Sequence, residues 1–174
     1  MWMAPDAAPM EHETTVEAAW MLGDRYLEWL HTGTFGSSPF EGRGIDGFNN
    51  GMGRYESVWV DNFGTLVLFY TGTCEQDGKV RTLTTSFAGP AAGTTISQRV
   101  VYTWTGKDSF TYESFMTQGT NEYRNMLVEY TRVDVGRSWE VTSQEDHYSY
   151  DHLVRQFTDG KSTSAILYTC WNER

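Results

Sequence analysis

Residues 40–70 decide the fold; they read FEGRGIDGFNNGMGRYESVWVDNFGTLVLFY, a glycine-rich segment followed by two apolar segments. In the first apolar segment, four alternate positions share one strand face: Tyr55, Ser57, Trp59 and Asp61. Asn62-Phe63-Gly64 predicts a turn, because glycine tolerates the positive φ that tight turns often need. Residues 66–70 are all apolar, which is typical of a strand covered on both faces. The stretch therefore predicts a β-hairpin.

Turn signals continue along the rest of the chain at short intervals. They are Gly23-Asp24, Asp77-Gly78, Gly89-Pro90, Gly106-Lys107-Asp108, Gly119-Thr120-Asn121 and Asp159-Gly160. β-branched and aromatic residues fill the segments between them, as strands prefer. This pattern predicts an all-β fold, an antiparallel meander of hairpins that forms a barrel or a sandwich.

Two segments of the first half need separate interpretation. Residues 15–21 and 25–31 are predicted as strands, because Gly23-Asp24 interrupts any helical spacing. Residues 32–53 are rich in Gly, Ser, Asn and Pro, so we predict a loop there with one short strand near residues 43–48.

Length and charge limit the classes of function. The chain has 174 residues, enough to bury its own core, so we predict a single domain over residues 1–174. The formal net charge of −10 argues against nucleic acid and anionic membranes as partners, since both would repel it. Aromatic residues make up 15%, which suits a β core or a pocket that stacks on ligands.

The sequence also predicts a location. The first 13 residues lack the basic and apolar runs of a signal peptide, and no apolar stretch reaches membrane-spanning length. The two cysteines, Cys74 and Cys170, could pair if the fold brings them together, but reduced thiols are the expectation. These features predict a cytoplasmic protein; a homo-oligomer is left open.

A glycine-rich motif and the histidines do not predict a cofactor or metal site. Residues 42–47, GRGIDG, match the dinucleotide-binding pattern G-x-G-x-x-G, which works only between a strand and a helix. Residues 48–53 cannot start a stable helix, so we interpret these residues as turn glycines. The histidines are scattered: His12, His31, His147 and His152. The sequence therefore predicts neither a metal nor another cofactor.

Charged residues on aromatic-rich strands are the candidate polar groups. We predict that Arg99, Glu113 and Arg132 anchor a ligand if the sheet closes round a lumen. Six residues are predicted to line that lumen: Tyr26, Tyr55, Trp59, Tyr70, Trp104 and Tyr112. Taken singly, each charged residue is better explained by exposure to solvent and each aromatic by core packing. As a group, they favour an aromatic-lined cavity.

Several short motifs occur in one order. They are LGDRYL at 22–27, FEGRG at 40–44, GFN at 47–49, the segment 55–61, Gly64-Thr65, Asp77-Gly78-Lys79 and Tyr130-Thr131-Arg132. This series, over residues 2–132, resembles the uncharacterised bacterial family called domain of unknown function 1579. The resemblance implies a lipocalin-like (calycin) β-barrel, usually cytoplasmic, with no established activity or cofactor.

The chain departs from the family pattern at three places. Family members usually begin with a strand carrying a Gly-x-Trp-like motif, and this chain starts after that position. It also continues through residues 133–174, where the family tends to end. Because a missing first strand leaves unpaired backbone groups, we expect a strand from residues 137–174 to fill that gap or extend the sheet. Phe48-Asn49 stands where the family tends to have Tyr-Asp, which puts any role of that carboxylate in doubt.

Three functions follow as alternatives. The leading hypothesis is a barrel that binds a small apolar or aromatic molecule. The second is a cofactor-independent isomerase or cyclase, in which Glu113 acts as a carboxylic acid and Tyr112 or Arg99 stabilises developing charge. The third is a structural or oligomeric module whose aromatic residues are core. An open lumen favours binding, whereas a filled lumen favours the structural alternative.

Overall fold

Alternating side chains and short turns build nine consecutive strands between residues 14 and 131. The computed structural model describes residue 1, residues 8–75 and 78–133, and the backbone of residues 157–158 and 163–164. The strands are β1 Thr14–Met21, β2 Tyr26–Phe35, β3 Ser38–Asn49, β4 Arg54–Asp61, β5 Leu68–Glu75, β6 Val80–Ala88, β7 Thr95–Gly106, β8 Ser109–Gln118 and β9 Asn121–Thr131. The strands predicted at 15–21, 25–31 and 55–61 are confirmed as β1, β2 and β4.

Each of these strands pairs antiparallel with the next strand in the chain, so the sheet order runs from β1 to β9. The sheet is curled, because the ring of Trp29 in β2 lies 6.2 Å, between centroids, from the ring of Phe110 in β8. Strands this far apart in one sheet meet only when the sheet bends round. The result is an all-β half-barrel. It confirms the predicted antiparallel meander and is consistent with a lipocalin-like barrel.

Strand β3 contains the short strand predicted near residues 43–48, and together with the end of β2 it corrects the prediction of a loop over most of the remainder of residues 32–53. It is 12 residues long although it contains three glycines. A Cβ at Gly42 would overlap the ring of Trp59, and a Cβ at Gly44 would lie 3.3 Å from the same ring. These two glycines therefore make room for an aromatic side chain of the neighbouring strand. The GRGIDG segment is part of a strand, so the interpretation of its residues as turn glycines was wrong.

The core lies on the concave face of the curled sheet. One cluster of buried residues comprises Ala18, Leu27, Trp29 and Phe110. A second comprises Tyr55, Tyr70, Leu83 and Val100. Tyr102 packs against both clusters and joins them. Side chains therefore fill much of the interior.

Two short strands follow the main sheet. They are β10 Phe157–Thr158 and β11 Thr163–Ser164, which pair with each other. Cα atoms of β11 come within 8 Å of Cα atoms of β1. The other strands predicted after residue 133 lie outside the described residues. The expectation that residues 137–174 complete the sheet therefore stays a prediction.

The cysteines differ from expectation. Cys74 in β5 is disulfide-bonded, so the prediction of a reduced thiol is wrong for this residue. Cys170 lies outside the described residues. Disulfides persist in oxidising compartments, so the thiol argument for a cytoplasmic location no longer holds, and the location stays a prediction.

Candidate functional site

A buried ion pair crosses the interior between β3 and β6. Arg81 Nη2 donates to Asp46 Oδ2 at 2.8 Å, and Trp29 Nε1 donates to the same oxygen at 3.1 Å. The ring of Tyr102 lies 4.2 Å from the guanidinium carbon. Burial disfavours the charged guanidinium, but the Asp46 carboxylate, Tyr102 and Tyr55 together outweigh burial and raise the pKa of Arg81. The guanidinium therefore stays charged, and the ion pair occupies the middle of the half-barrel.

Five interior tyrosines are held in the neutral form. Burial raises the pKa of each phenol: Tyr55, Tyr70, Tyr102, Tyr112 and Tyr130. For Tyr112 the raised pKa is about 12. A neutral phenol donates a hydrogen bond but is a poor base near neutral pH. These residues therefore supply apolar surface and hydroxyl donors.

The sheet splits between β5 and β6 at one end of the barrel. The two strands pair from Glu75↔Val80 to Thr71↔Thr84 and no further. Beyond that point β5 extends back to Leu68, where it pairs only with β4, and β6 continues to Ala88 beside β7. The end of the pairing leaves a gap in the wall of the half-barrel.

An open cavity of about 800 Å³ lies at this gap. Its lining combines apolar, hydroxyl and charged side chains: Val67, Leu68, Phe69, Thr71, Thr84, Thr85, Ser86, Phe87, Ser97, Gln98, Arg99, Thr117 and Glu122. The strand alternation places Leu68, Thr85 and Gln98 among the inward-facing positions and Ser86 and Ser97 among the outward-facing positions. The cavity therefore runs from the outer surface through the wall toward the core.

A hydrogen-bonded chain links this cavity to the core. The hydroxyl of Tyr70 donates to Gln98 Oε1 at 2.8 Å, and Gln98 Nε2 donates to Ser114 Oγ at 2.7 Å. All three residues are buried. Because its partners fix the amide on both sides, Gln98 presents a rigid polar group at the inner end of the cavity.

One ion pair stands in the cavity lining. Arg99 Nε and Nη2 donate to the two carboxylate oxygens of Glu122 at 3.1 and 2.8 Å. This hydrogen bonding raises the pKa of Arg99 and lowers the pKa of Glu122. The guanidinium carbon also lies 4.1 Å from the ring of Phe115. Both charges are therefore neutralised locally.

The predicted aromatic wall is mostly core. Tyr55 and Tyr70 are buried in the second cluster, and Trp59 and Tyr112 pack against it. Trp104 packs against the first cluster. By contrast, the structure places Tyr26 at the start of β2, where 42% of the residue is exposed. Of these six residues, Tyr70 reaches the cavity through its hydrogen bond to Gln98.

The predicted polar anchors Arg99 and Glu113 lie close enough for the Glu113 carboxylate to contribute to the raised pKa of Arg99, whereas Arg132 lies apart from both. Arg99 lines the cavity, and the carboxylate of Glu113 accepts a hydrogen bond from Arg124 at 2.8 Å on the same outer face of the sheet. Arg132 lies at the opposite end of the barrel, where its Nε is 3.3 Å from Asp108 Oδ1. Because Glu113 and Tyr112 are consecutive in β8, they face opposite sides of the sheet. The structure therefore does not assemble the predicted catalytic set on the concave face.

Sequence reasoning missed Asp46, Arg81 and Gln98. Arg81 alternates with Leu83 and therefore shares the apolar face of β6, which was a detectable signal of a buried charge. Gln98 likewise alternates with Val100 in β7. Asp46 lies within the short strand predicted near residues 43–48, but the two alternate positions before it are glycines, Gly42 and Gly44, and not apolar residues that would mark a buried charge.

Two further properties hold for the described part of the chain. It contains no cluster of His, Cys, Asp or Glu positioned to hold a metal ion. It also lacks any helix with the length and apolarity needed to cross a membrane.

Comparison with models of protein families identifies the family of the chain. A family model described as "Protein of unknown function (DUF1579)" matches residues 1–132, which is most of the chain. No curated protein matches the sequence.

Proposed function

The chain belongs to the family described as proteins of unknown function (DUF1579), a description that assigns no activity, and from the geometry we propose that it binds a small molecule. The proposed site is the cavity between β5 and β6. The proposed ligand is apolar or aromatic over part of its surface. Fold alone carries no function, so the proposal depends on this site.

The observation that carries the proposal is the cavity itself. Its volume of about 800 Å³ falls within the range of roughly 300–1,000 Å³ typical of ligand pockets. Apolar surface comes from Val67 and Phe69 on one side and Phe87 on the other. Val67 is 70% exposed and Phe69 is 50% exposed. Covering such surface with a ligand is favourable, because it removes apolar area from water.

The filled interior favours the structural alternative for the lumen itself and supports a ligand position in the wall instead. The Asp46–Arg81 pair and the two aromatic clusters occupy the concave face beyond Gln98. A ligand would therefore lie at the split in the wall, with one end directed at Gln98, rather than along the axis of the half-barrel.

Catalysis has weaker support. Glu113 is paired with Arg124 on the outer face, and the buried carboxylate of Asp46 accepts hydrogen bonds from Arg81 and Trp29. Neither group resembles a free carboxylic acid poised to donate a proton. The isomerase or cyclase alternative therefore has no specific contact in its favour.

A neutral fluorescent probe tests the proposal. N-phenyl-1-naphthylamine should gain fluorescence on binding the full chain, and Ser86→Trp should abolish most of the gain by filling the cavity. Thr73→Trp is the matched control, since Thr73 is an exposed strand residue that does not line the cavity. Absence of probe binding, or equal binding by both variants, would contradict the proposed site.

A further inference from the structure

We infer that the cavity between β5 and β6 selects amphiphiles with a neutral, hydroxyl-bearing head group, such as an alkyl glycoside, over amphiphiles with an anionic head group. This inference rests on the proposed function and specifies its ligand class. The outward-facing lining supplies the contacts to the head group, and the lip of the gap supplies the contacts to the apolar part.

A row of hydroxyl side chains crosses three strands inside the cavity. Ser86 of β6 is directly opposite Ser97 of β7, and Ser97 is directly opposite Thr117 of β8. All three residues line the cavity. Neighbouring strands are about 4.8 Å apart, so the row offers hydroxyl groups at regular short intervals. Each hydroxyl can both donate and accept, which matches a ligand whose own hydroxyls do the same.

The charges of the cavity favour a neutral head. Among the described lining residues, Arg99 and Glu122 are the only charged ones, and each neutralises the other through two hydrogen bonds. An anionic head group in the cavity would lie beside the Glu122 carboxylate, which repels it, and beside a guanidinium whose charge that carboxylate already balances. The formal net charge of −10 adds a long-range repulsion against anions.

The apolar part of the ligand has its own surface. Leu68 packs against the second core cluster at the inner end of the gap, while Phe69 is half exposed at its rim. Phe87 of β6 stands across the gap from them. An alkyl chain or flat ring placed between these side chains would leave its polar end at the hydroxyl row.

Isothermal titration calorimetry of the full chain with three probes tests this inference. The probes are octyl β-D-glucopyranoside, sodium octanoate and methyl β-D-glucopyranoside, each below any micelle-forming concentration. Octyl glucoside should bind at least about tenfold more tightly than either of the others, a difference of ~1.4 kcal/mol. Equal or tighter binding of octanoate would overturn the head-group inference and leave the proposed function standing. Failure of both amphiphiles to bind would overturn both.

Substitutions test which residues produce the preference for a neutral head group. Glu122→Gln frees the guanidinium of Arg99, so the ratio of octyl glucoside affinity to octanoate affinity should fall about tenfold. Glu129→Gln removes the same charge from an exposed position elsewhere on β9 and should leave the ratio unchanged. Ser97→Ala combined with Thr117→Val should weaken octyl glucoside binding, whereas Thr111→Val, outside the cavity on β8, should not. An unchanged ratio in Glu122→Gln would overturn the role assigned to the ion pair.

Discussion

Arg81 donates from Nη2 to Asp46 Oδ2 at 2.8 Å across the interior of the half-barrel, from a side chain that is almost entirely buried. The two residues are on strands β3 and β6, which are not neighbours in the sheet. Their contact therefore holds opposite parts of the curled sheet together. Trp29 and Tyr102 enclose the pair, which limits any replacement of the contact by water.

Removal of one partner of this ion pair should lower the free energy of unfolding. Arg81→Met leaves the Asp46 carboxylate buried without its cation, and such losses typically cost about 3–5 kcal/mol. The free energy of unfolding from urea titration measures the effect. Arg99→Met is the matched control: Arg99 is in an exposed pair, so it should cost no more than about 1 kcal/mol. Equal costs for the two substitutions would contradict a structural role for the buried pair.

The close approach of β5 and β6 just before the split depends on Gly72. A Cβ at this position would overlap the carbonyl oxygen of Thr82, so no side-chain rotation relieves the clash. Gly72→Ala should therefore lower the free energy of unfolding by more than about 2 kcal/mol, beyond the usual range of surface substitutions. Gly64→Ala should have little effect, because the nearest atom to its Cβ, the backbone N of Leu66, is 3.9 Å away. Similar thermal midpoints for the two variants would show that the strands can separate at no cost.

The hydroxyl of Tyr70 should stabilise the inner end of the cavity. Tyr70→Phe removes the donor to Gln98 Oε1 and leaves a buried acceptor without its partner, at a cost of about 1–3 kcal/mol. Tyr123→Phe is a suitable control, since the Tyr123 hydroxyl makes only a long contact of 4.0 Å with the sulfur of Met116. Urea unfolding of both variants compares the two costs. If Tyr70→Phe leaves the free energy of unfolding unchanged, Gln98 has found another donor.

The order of strands was predictable from sequence because turn chemistry is local. Residues that tolerate turn conformations predict the hairpins, for example at Asp77-Gly78 and at Gly106-Lys107-Asp108. Only the part of strand β3 near residues 43–48 was predictable as a strand. Its glycines lower local strand propensity, and only the tertiary contact with Trp59 explains why Gly42 lies in a strand.

The candidate site was less predictable than the fold. Alternation identifies which residues share a face, but it does not say which face is concave. The sequence pattern predicts Arg99 and Glu113 as lumen residues, but in the structure their immediate neighbours, Val100 and Tyr112, face the interior. The cavity also depends on where the pairing of β5 and β6 ends, at Thr71↔Thr84, and no local pattern marks that position.

The pH dependence of stability should report on His31. Burial lowers the pKa of this imidazole to about 4, although Asp46 opposes the shift. The unfolded chain, with an ordinary histidine pKa near ~6.5, therefore binds a proton that the folded chain does not bind between these two values. The contribution of His31 to the free energy of unfolding should be fully present above pH 6.5. It should decline as the pH falls toward 4, by up to about 1.4 kcal/mol per pH unit.

Urea unfolding from pH 7 to pH 5 measures this slope before most carboxylates titrate. His31→Phe keeps an aromatic ring against Trp59 and Tyr130 and should reduce the slope. If the slope persists unchanged in His31→Phe, or if the His31 ring titrates near pH 6.5 by NMR, the imidazole is not buried in the neutral form. A reduced slope with an NMR midpoint well below 6 would establish that the curled sheet excludes water from His31, because only desolvation lowers the pKa here against the pull of Asp46.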